Sequence, residues 1–231
     1  MSIYAISDPH LSLQSGKPMD VFGSNWTDHW ETIKKDWLQK IRNQDIVVVA
    51  GDLSWAIRYE EALADLSAIC ALPGHKILLK GNHDYWHGSL KKTRKLLFNQ
   101  TYFIQNDAFA IGGYVFAGTR GWKQRGEETF SAEDEKVYAR EAERLSLSLQ
   151  AASKIEGEII GVSHYPPFTQ DLRASELTKL YKYYGVKTVI YGHLHGPKIK
   201  RSEYDNVVIE GTRYILTSCD YLGFKLLRVR E

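Results

Sequence analysis

The sequence predicts an α/β protein in which short buried strands alternate with amphipathic helices. The run Ile46-Val47-Val48-Val49 is continuously β-branched, which is typical of a strand that is covered on both faces. Apolar residues then recur at helical spacing over 60–71, and a second apolar run, Ile77-Leu78-Leu79, follows. This alternation favours a mostly parallel sheet. Beyond residue 100, short strands follow one another and favour a second, more antiparallel sheet.

The composition is that of an ordinary globular protein. The chain has 231 residues without a repeat or a low-complexity stretch, and we expect one domain over residues 1–231. A net charge of +2 is too weak to indicate a nucleic-acid partner, and no apolar run approaches the length of a membrane span. The first residues show no signal peptide, and Cys70 and Cys219 form no spaced pattern, so we expect a reduced, cytoplasmic protein without a cysteine zinc site.

The first half of the chain repeats the order strand, polar motif, helix. A strand over 3–6 precedes a loop over 12–24, and the next helix carries a stripe that we expect to be buried. The stripe consists of Trp26, Trp30, Ile33, Trp37 and Ile41. The helix over 60–71 has an apolar face of Leu63, Leu66, Ile69 and Cys70 and ends at Pro73-Gly74. A strand over 76–80 and a helix over 90–98 complete this half.

The second half begins with short strands over 102–105, 108–111 and 114–117, and Gly112-Gly113 predicts a two-residue hairpin turn between the last two. A long helix over 131–152 has Ser131 as its expected N-cap and Asp134 in the capping-box position. A strand over 158–162, a helix over 174–184 and a strand over 187–190 follow. We expect the segments over 207–209, 214–217 and 224–229 to be antiparallel strands.

Five polar clusters each follow a predicted strand. They are Asp8-x-His10, Gly51-Asp52, Gly81-Asn82-His83-Asp84, His164 and Gly192-His193-x-His195. Because loops at the carboxyl ends of strands converge on one crevice of such a sheet, these distant residues can meet. Each cluster alone has a simpler explanation as a cap or a surface pair. Together, oxygen and nitrogen donors without a thiolate predict a site for Mn, Fe or Zn, with Asp52 as the natural bridge between two ions.

On these motifs the chain resembles the calcineurin-like metallophosphoesterases, from Asp8 to His195. The resemblance implies an α/β (α+β) fold, a two-sheet β-sandwich flanked by helices, with two divalent metal ions as cofactors. One ion would be bound by Asp8, His10, Asp52 and His195, and the other by Asp52, Asn82, His164 and His193. His83 would be the acid near the leaving group, and Asp84 would hold its ring.

The expected activity is hydrolysis of a phosphomonoester or a phosphodiester. Two metals can clamp the attacking and leaving oxygens, and a bridging hydroxide needs no serine or cysteine nucleophile. A nuclease or cyclic-nucleotide phosphodiesterase is the alternative, in which the basic run over 91–95 would flank the cleft; its simpler interpretation is a solvated helix face. A non-catalytic scaffold is disfavoured because no predicted ligand is missing.

Two departures from the family argue against the branch of protein serine/threonine phosphatases. Lys80 stands where that branch places an arginine, and its SAPNYC-like C-terminal signature is absent from the sequence. In addition, Tyr165 replaces a second histidine found after His164 in some members of the family.

Several further residues are candidates for substrate contact. Arg120 could hold a phosphate through its guanidinium fork, and His87 and Trp86 follow the predicted acid closely. Packing is the simpler role for Trp86, as it is for Tyr85 and Trp55.

His29 and His75 follow no predicted strand, and we expect them to face solvent or cap helices. Substrate specificity is expected in the loops over 12–24, 122–131 and 198–205.

Overall fold

The computed structural model describes residues 1–196, 199, 201–205 and 207–231. The specificity loop predicted over 198–205 therefore lies partly outside the described residues. The strands are β1 (Ile3–Ile6), β2 (Ile46–Ala50), β3 (His75–Leu79), β4 (Thr101–Phe103), β5 (Ala108–Ile111), β6 (Tyr114–Thr119), β7 (Glu158–Ser163), β8 (Thr188–Tyr191), β9 (Val207–Ile209), β10 (Thr212–Leu216) and β11 (Leu227–Arg230). The helices are α1 (His29–Lys40), α2 (Tyr59–Cys70), α3 (Leu90–Leu96), α4 (Ala132–Ala152), α5 (Glu176–Tyr183) and α6 (Arg201–Tyr204).

The strands form two mixed sheets. One has the order β11-β1-β2-β3-β4, in which β11 alone runs antiparallel to its neighbour. The other has the order β5-β6-β7-β8-β10-β9, with antiparallel pairs only at its two edges. The prediction of a more antiparallel second sheet is therefore wrong for its centre. The tail strand β10 pairs parallel to β8, because a hairpin from the edge strand β9 brings β10 into the place between β9 and β8.

The sheets face each other and helices cover their outer sides, which confirms the predicted two-sheet sandwich. Alternate residues of β2 show the two environments. Val48 packs between the sheets with Ile160 and Val162, whereas Val47 and Val49 pack against the α1 and α2 side. The second sheet is covered by α4 and α5 in the same way. The continuous apolar sequence of β2 thus reflects burial on both faces, as expected for a central parallel strand.

Local signals placed several elements correctly. Gly112 and Gly113 have φ of 62° and 82° in the hairpin between β5 and β6, a conformation that glycine adopts without strain. The hydroxyl of Ser131 accepts a hydrogen bond from the backbone N–H of Asp134, whose carboxylate accepts one from the N–H of Ser131. The predicted capping box of α4 is confirmed. No helix among the described residues is long and apolar enough to cross a membrane.

Two predictions about helix faces need correction. Leu63 is 37% exposed, and Asp65 takes a buried place on α2 instead. Asp65 is tolerated there because its carboxylate accepts hydrogen bonds from the backbone N–H of Leu13, at 2.9 Å, and from the hydroxyl of Ser54. The tryptophan stripe is buried as predicted, but Trp26 lies in a 3₁₀ turn before α1, because Asp28, with φ of 52°, interrupts the helix.

Candidate metal centre and active site

The polar clusters converge at one edge of the sandwich. Both sheets point the carboxyl ends of their parallel strands toward this edge, and the ends of β1 and β10 are joined by backbone hydrogen bonds. The N–H of Ser7 donates to the carbonyl of Thr217 at 2.7 Å, and the N–H of Cys219 donates to the carbonyl of Ser7 at 2.9 Å. Side chains that follow strands of different sheets are therefore brought together, as the sequence predicted.

A first group of possible ligands consists of Asp8, His10 and His195. One donor atom from each lies within 4.8 Å of the others. Asp8 and His10 are buried, whereas His195 is exposed. The imidazole Nε2 of His10 lies 3.6 Å from Oδ2 of Asp52, so the same carboxylate borders this group.

A second group forms on the other side of Asp52. Donor atoms of Asp8, Asp52 and His164 lie within 4.8 Å of one another, and Oδ2 of Asp52 is 3.4 Å from Nε2 of His164. Oδ1 of Asn82 lies 2.7 Å from Nε2 of His164 and 2.9 Å from Nδ1 of His193. The structure thus brings all the predicted ligands together, with Asp52 between the two groups.

The backbone at this edge adopts a conformation that L-residues rarely take. Asp8, His10, Asp52 and His193 have φ of 57°, 44°, 52° and 69°. Non-glycine residues pay a free-energy cost in this region, of order 1–3 kcal/mol each, and such residues concentrate at functional sites. Each of these residues lies two to four positions after the end of a strand, so the strained backbone coincides with the predicted ligands.

Two glycines permit the close approach of neighbouring loops. A Cβ atom at Gly81 would lie 2.1 Å from Oδ1 of Asp52 and 2.2 Å from its backbone nitrogen. A Cβ atom at Gly192 would lie 2.3 Å from Oγ of Ser7 and 2.6 Å from Oδ2 of Asp8. The glycine of each motif is therefore needed because a side chain would displace a carboxylate.

Unpaired buried atoms test whether metal ions fit this site. Both ring nitrogens of His10 and Oδ2 of Asp52 are buried without a hydrogen-bond partner among the residues that the structure describes. Folded proteins rarely leave such atoms unsatisfied, and a bound cation satisfies carboxylate oxygens and imidazole nitrogens together. The donor set fits a divalent transition metal.

The protonation of the histidines also favours metal binding. Burial lowers the pKa of His10 and that of His193 to about 3, so both rings are neutral and can donate a lone pair. His164 differs from them. Burial opposes its charge, but the carboxylates of Asp52 and Asp8 and the hydrogen bonds to Asp52 and Ala50 together outweigh burial and raise the pKa of His164 to about 9. His164, together with His10 and the backbone N–H of His83, overcomes the effect of burial on Asp52 and holds the pKa of its carboxyl well below the usual range.

Hydrogen bonds agree with a protonated His164 in the metal-free protein. Its Nδ1 donates to the carbonyl of Ala50 at 3.0 Å, and its Nε2 faces the amide oxygen of Asn82 and the carboxylate of Asp52. The Nε2 proton therefore occupies the position from which this nitrogen would bind a cation. The bond to Ala50 fixes the tautomer that directs Nε2 inward.

We expect Mn²⁺ binding to release about one proton at pH 7.5, because His164 must lose its Nε2 proton to become a ligand. Since the pKa of His164 is about 9, affinity should rise about tenfold per pH unit between pH 7 and 8.5. Isothermal titration calorimetry in two buffers of different ionisation enthalpy counts the released protons. A pH-independent affinity without proton release would contradict this assignment.

Asp84 does not hold the ring of His83 as predicted. Its carboxylate is fully buried and accepts four hydrogen bonds, from the backbone N–H of Leu53, Ser54 and Gly81 and from Nε1 of Trp86, at 2.8–3.1 Å. All of its hydrogen bonds in the described chain go to these donors. Asp84 therefore joins the loop after β2 to the loop after β3. Its carboxylate lies between the two loops and accepts hydrogen bonds from buried backbone N–H groups of both.

His83 lies at the edge of the site. Its backbone N–H donates to Oδ1 of Asp52 at 2.8 Å, and its half-buried ring lies edge-on to Trp55, with 4.4 Å between centroids. Burial lowers the pKa of His83. Its ring is 5.5 Å from the ring of His10, which places it beside the first group of ligands.

The side chains of the three predicted substrate contacts pack or pair with residues outside the two ligand groups. Trp86 is 2% exposed and packs in the core, so the prediction of a substrate contact is wrong for it. The ring of His87 stacks on Phe103 with centroids 5.0 Å apart. The guanidinium of Arg120 pairs with the buried Glu141 at 3.0 Å, and its backbone carbonyl accepts the N–H of His164 at 3.1 Å.

His87 and Arg120 line a separate cavity of about 170 Å³, together with Lys80 and Arg144. None of the predicted metal ligands lines that cavity. His87 stacks on Phe103 and Arg120 pairs with Glu141, while Nε2 of His87 and Nε of Arg120 are buried without a hydrogen-bond partner among the described residues. Because their cavity is separate from the predicted metal ligands, the structure does not support substrate contact at the candidate metal centre by either. The basic run over 91–95 lies on α3, and its lysines, Lys91, Lys92 and Lys95, are exposed. This agrees with the prediction that the run forms a solvated helix face.

Other residues position the centre without a motif. His29 is 9% exposed and bridges the carbonyls of Trp26 and Pro9 at 3.0 and 2.9 Å, so the prediction of a solvent-facing or capping residue is wrong. The carboxylate of Asp220 accepts the N–H of Gly196 at 2.7 Å and so holds the loop of His193 and His195. Asp220 lies 24 residues beyond Gly196, in a turn after β10 that no motif marks, so sequence analysis missed it.

The sandwich with this cluster of aspartate, histidine and asparagine at its edge defines the metallophosphoesterase class of α/β proteins. The family model for calcineurin-like phosphoesterases matches residues 1–197, and the chain belongs to that family. Members of this family are metal-dependent phosphoesterases, and the Asp and His groups described above are candidate metal ligands.

Solved structures of similar fold come from several bacteria. A phosphopantetheinyl hydrolase from Mycobacterium tuberculosis is 15% identical in sequence, with a TM-score of 0.57. The match covers 99% of this chain and 95% of that protein's chain. The protein TT1561 of Thermus thermophilus is 14% identical, with a TM-score of 0.59 and coverage of 99% and 97%. A protein of unknown function from Aquifex aeolicus is 17% identical, with a TM-score of 0.53 and coverage of 98% and 95%. These likenesses show the fold alone. No curated protein sequence matched the chain.

Proposed function

We propose that this protein hydrolyses a phosphomonoester or a phosphodiester with two divalent metal ions (Mn, Fe or Zn). The observation that carries the proposal is the convergence of the predicted ligands around Asp52, whose Oδ2 is buried without a hydrogen-bond partner among the described residues. Asp8, His10, Asp52 and His195 would hold one ion. Asp52, Asn82, His164 and His193 would hold the other. When bound, the ions would polarise the phosphoryl group and activate water.

The protein's own groups organise the reaction around that pair. The Asp52 carboxylate, fixed through its Oδ1 by the N–H of His83, keeps its Oδ2 directed at both ligand groups. Ala50 and Asn82 orient His164. Because Asn82 is neutral, it adds an oxygen donor to the second group without a further negative charge. These contacts fix the donor atoms before the substrate arrives, which lowers the cost of reorganisation during the reaction.

His83 is the proposed acid. As the P–O bond to the leaving group breaks, a bond forms between water oxygen and phosphorus, and the leaving oxygen takes a proton from His83. The pKa of His83 is lowered by burial, so the free enzyme holds a neutral ring. An anionic phosphate beside the ring favours the protonated form and raises that pKa, which makes the ring able to donate once substrate is bound.

A substrate panel tests the proposal. Purified protein loaded with Mn²⁺ and checked by metal analysis is assayed with p-nitrophenyl phosphate and with its bis ester. We expect metal-dependent release of nitrophenol from at least one, and the ratio of the two rates assigns the protein as a mono- or diesterase. Fully metallated protein that cleaves neither ester would contradict the proposed function.

Replacing His83 by glutamine should impair substrates with poor leaving groups most. We expect kcat for an alkyl phosphate to fall by about 10²–10⁴-fold, because a general acid contributes about this much when the leaving oxygen needs a proton. With p-nitrophenyl phosphate, whose leaving group is a weak base, the loss should be much smaller. Metal content should be unchanged, since the ring of His83 belongs to neither ligand group. Equal losses on both substrates would contradict the role of acid.

A further inference from the structure

A cavity of about 810 Å³ opens beside the proposed active site. His83 and His195 line its inner end, and Phe22, Trp26 and Trp55 line its walls. Cavities of roughly 300–1,000 Å³ hold organic ligands, so this one has room for much more than a phosphoryl group. The cavity is continuous with the proposed metal centre, because His83 and His195 line its inner end.

The walls of this cavity are aromatic. The rings of Phe22 and Trp55 are nearly parallel, at 11° with centroids 6.2 Å apart, and Trp55 stacks on the ring of His10, at 22° and 4.7 Å. Trp26 approaches His195 edge-on at 6.3 Å. A row of flat side chains therefore runs from a predicted metal ligand to the outer rim, and such faces favour flat aromatic ligands.

The outer rim carries apolar surface that the fold itself does not require. Phe22 is 63% exposed at the end of the 3₁₀ turn Met19–Phe22, and its neighbour Val21 is 72% exposed. Among the described lining residues, Asp220 carries the carboxylate group. This carboxylate already accepts hydrogen bonds from the N–H groups of Gly196 and Tyr221. The described wall thus presents aromatic surface rather than free charge to a ligand.

The cavity lies on the side of the site from which the leaving group would depart, because the proposed acid His83 lines it. A smaller cavity of about 270 Å³ opens beside His193 and Tyr165, and His83 does not line it. The two cavities therefore differ in their relation to the acid. A group bonded to the oxygen that His83 protonates would extend into the larger one.

We propose that this aromatic cavity binds the leaving group of the substrate, and that the leaving group is an alcohol bearing a flat aromatic or heteroaromatic ring. This inference rests on the proposed function, since it takes His83 as the acid. Phe22 would stack on the ring, with Trp55 beside it, and both act on binding rather than on the chemical step.

The test compares two phosphate monoesters whose leaving alcohols are similarly basic, 2-(1-naphthyl)ethyl phosphate and ethyl phosphate. With Mn²⁺-loaded protein we expect kcat/KM to be at least about tenfold higher for the naphthyl ester, since one aromatic stack contributes about this factor. In Phe22→Ala, KM for the naphthyl ester should rise about tenfold with kcat unchanged, while ethyl phosphate is unaffected. Val21→Ala, exposed and outside the cavity lining, is the matched control.

Binding of 2-(1-naphthyl)ethylphosphonate, which cannot be hydrolysed at its P–C bond, supplies a readout that does not depend on activity. We expect calorimetry to show about tenfold weaker binding to Phe22→Ala than to wild type or to Val21→Ala. Equal kcat/KM for the two esters, or equal binding by the two variants, would overturn the inference and leave the proposed function intact. Tight, Phe22-dependent phosphonate binding without cleavage of any ester would instead overturn the proposed function and support the cavity as an aromatic site.

Discussion

Asp52→Asn is expected to remove metal binding and to lower kcat by about 10³-fold or more, because Oδ2 of Asp52 lies between His10 of the first ligand group and His164 of the second. The substitution keeps the shape of the side chain and removes the charge that two cations would share. Wild-type protein should gain about 2.7 kcal/mol of unfolding free energy at a Mn²⁺ concentration of about one hundred times Kd, and the variant should gain almost none. Thermal unfolding with and without Mn²⁺, together with metal analysis, measures both quantities.

Asp45→Asn is the matched control for this experiment. Asp45 is also buried and lies just before the same strand, β2, but at the opposite end from the candidate metal centre. Its carboxylate accepts hydrogen bonds from the N–H groups of Ser2 and Arg42 at 2.8 and 3.0 Å. We expect this variant to lose some stability while it keeps metal binding and activity. Mn²⁺ stabilisation that survives in Asp52→Asn would show that the centre lies elsewhere.

Asp84→Ala should lower the free energy of unfolding of the metal-free protein by about 3–5 kcal/mol, among the largest effects of a single substitution. The reason is that four buried donors would lose their common acceptor, and each unsatisfied donor costs about 1–3 kcal/mol, although these costs do not add fully. Urea unfolding of the metal-free protein measures the change.

The isosteric variant Asp84→Asn separates a loop-positioning role from a role in orienting His83. Burial and the charge of Asp52 raise the pKa of the Asp84 carboxyl to about 6, so its negative charge is disfavoured in the folded protein. Removal of that charge should therefore lower the free energy of unfolding only slightly, because the amide keeps some of the hydrogen bonds. We expect a smaller loss of stability and an unchanged pH profile of kcat/KM. A shifted pH profile at constant stability would instead show that Asp84 acts on the His83 ring.

Short-range patterns in the sequence were enough to predict most elements. The β-branched run of β2, the glycine pair of the β5–β6 hairpin and the capping box of α4 depend on residues within a few positions of one another. The positions of the predicted metal ligands could be named for the same reason, because each follows a strand and strand ends of parallel sheets meet. Periodicity also indicated two sheets, but not that β10 would pair parallel to β8.

By itself, the sequence determined where the strands end and which donor atoms stand at those ends, since both follow from local chemistry. Only the tertiary structure decided what the flanking residues do. Asp84 serves the loop after β2, whose Leu53 lies 31 residues away, and Arg120 pairs with Glu141, which lies 21 residues away. The aromatic cavity likewise depends on how the loop of Phe22 packs over Trp55. Such contacts are selected by packing between distant segments, which no local pattern records.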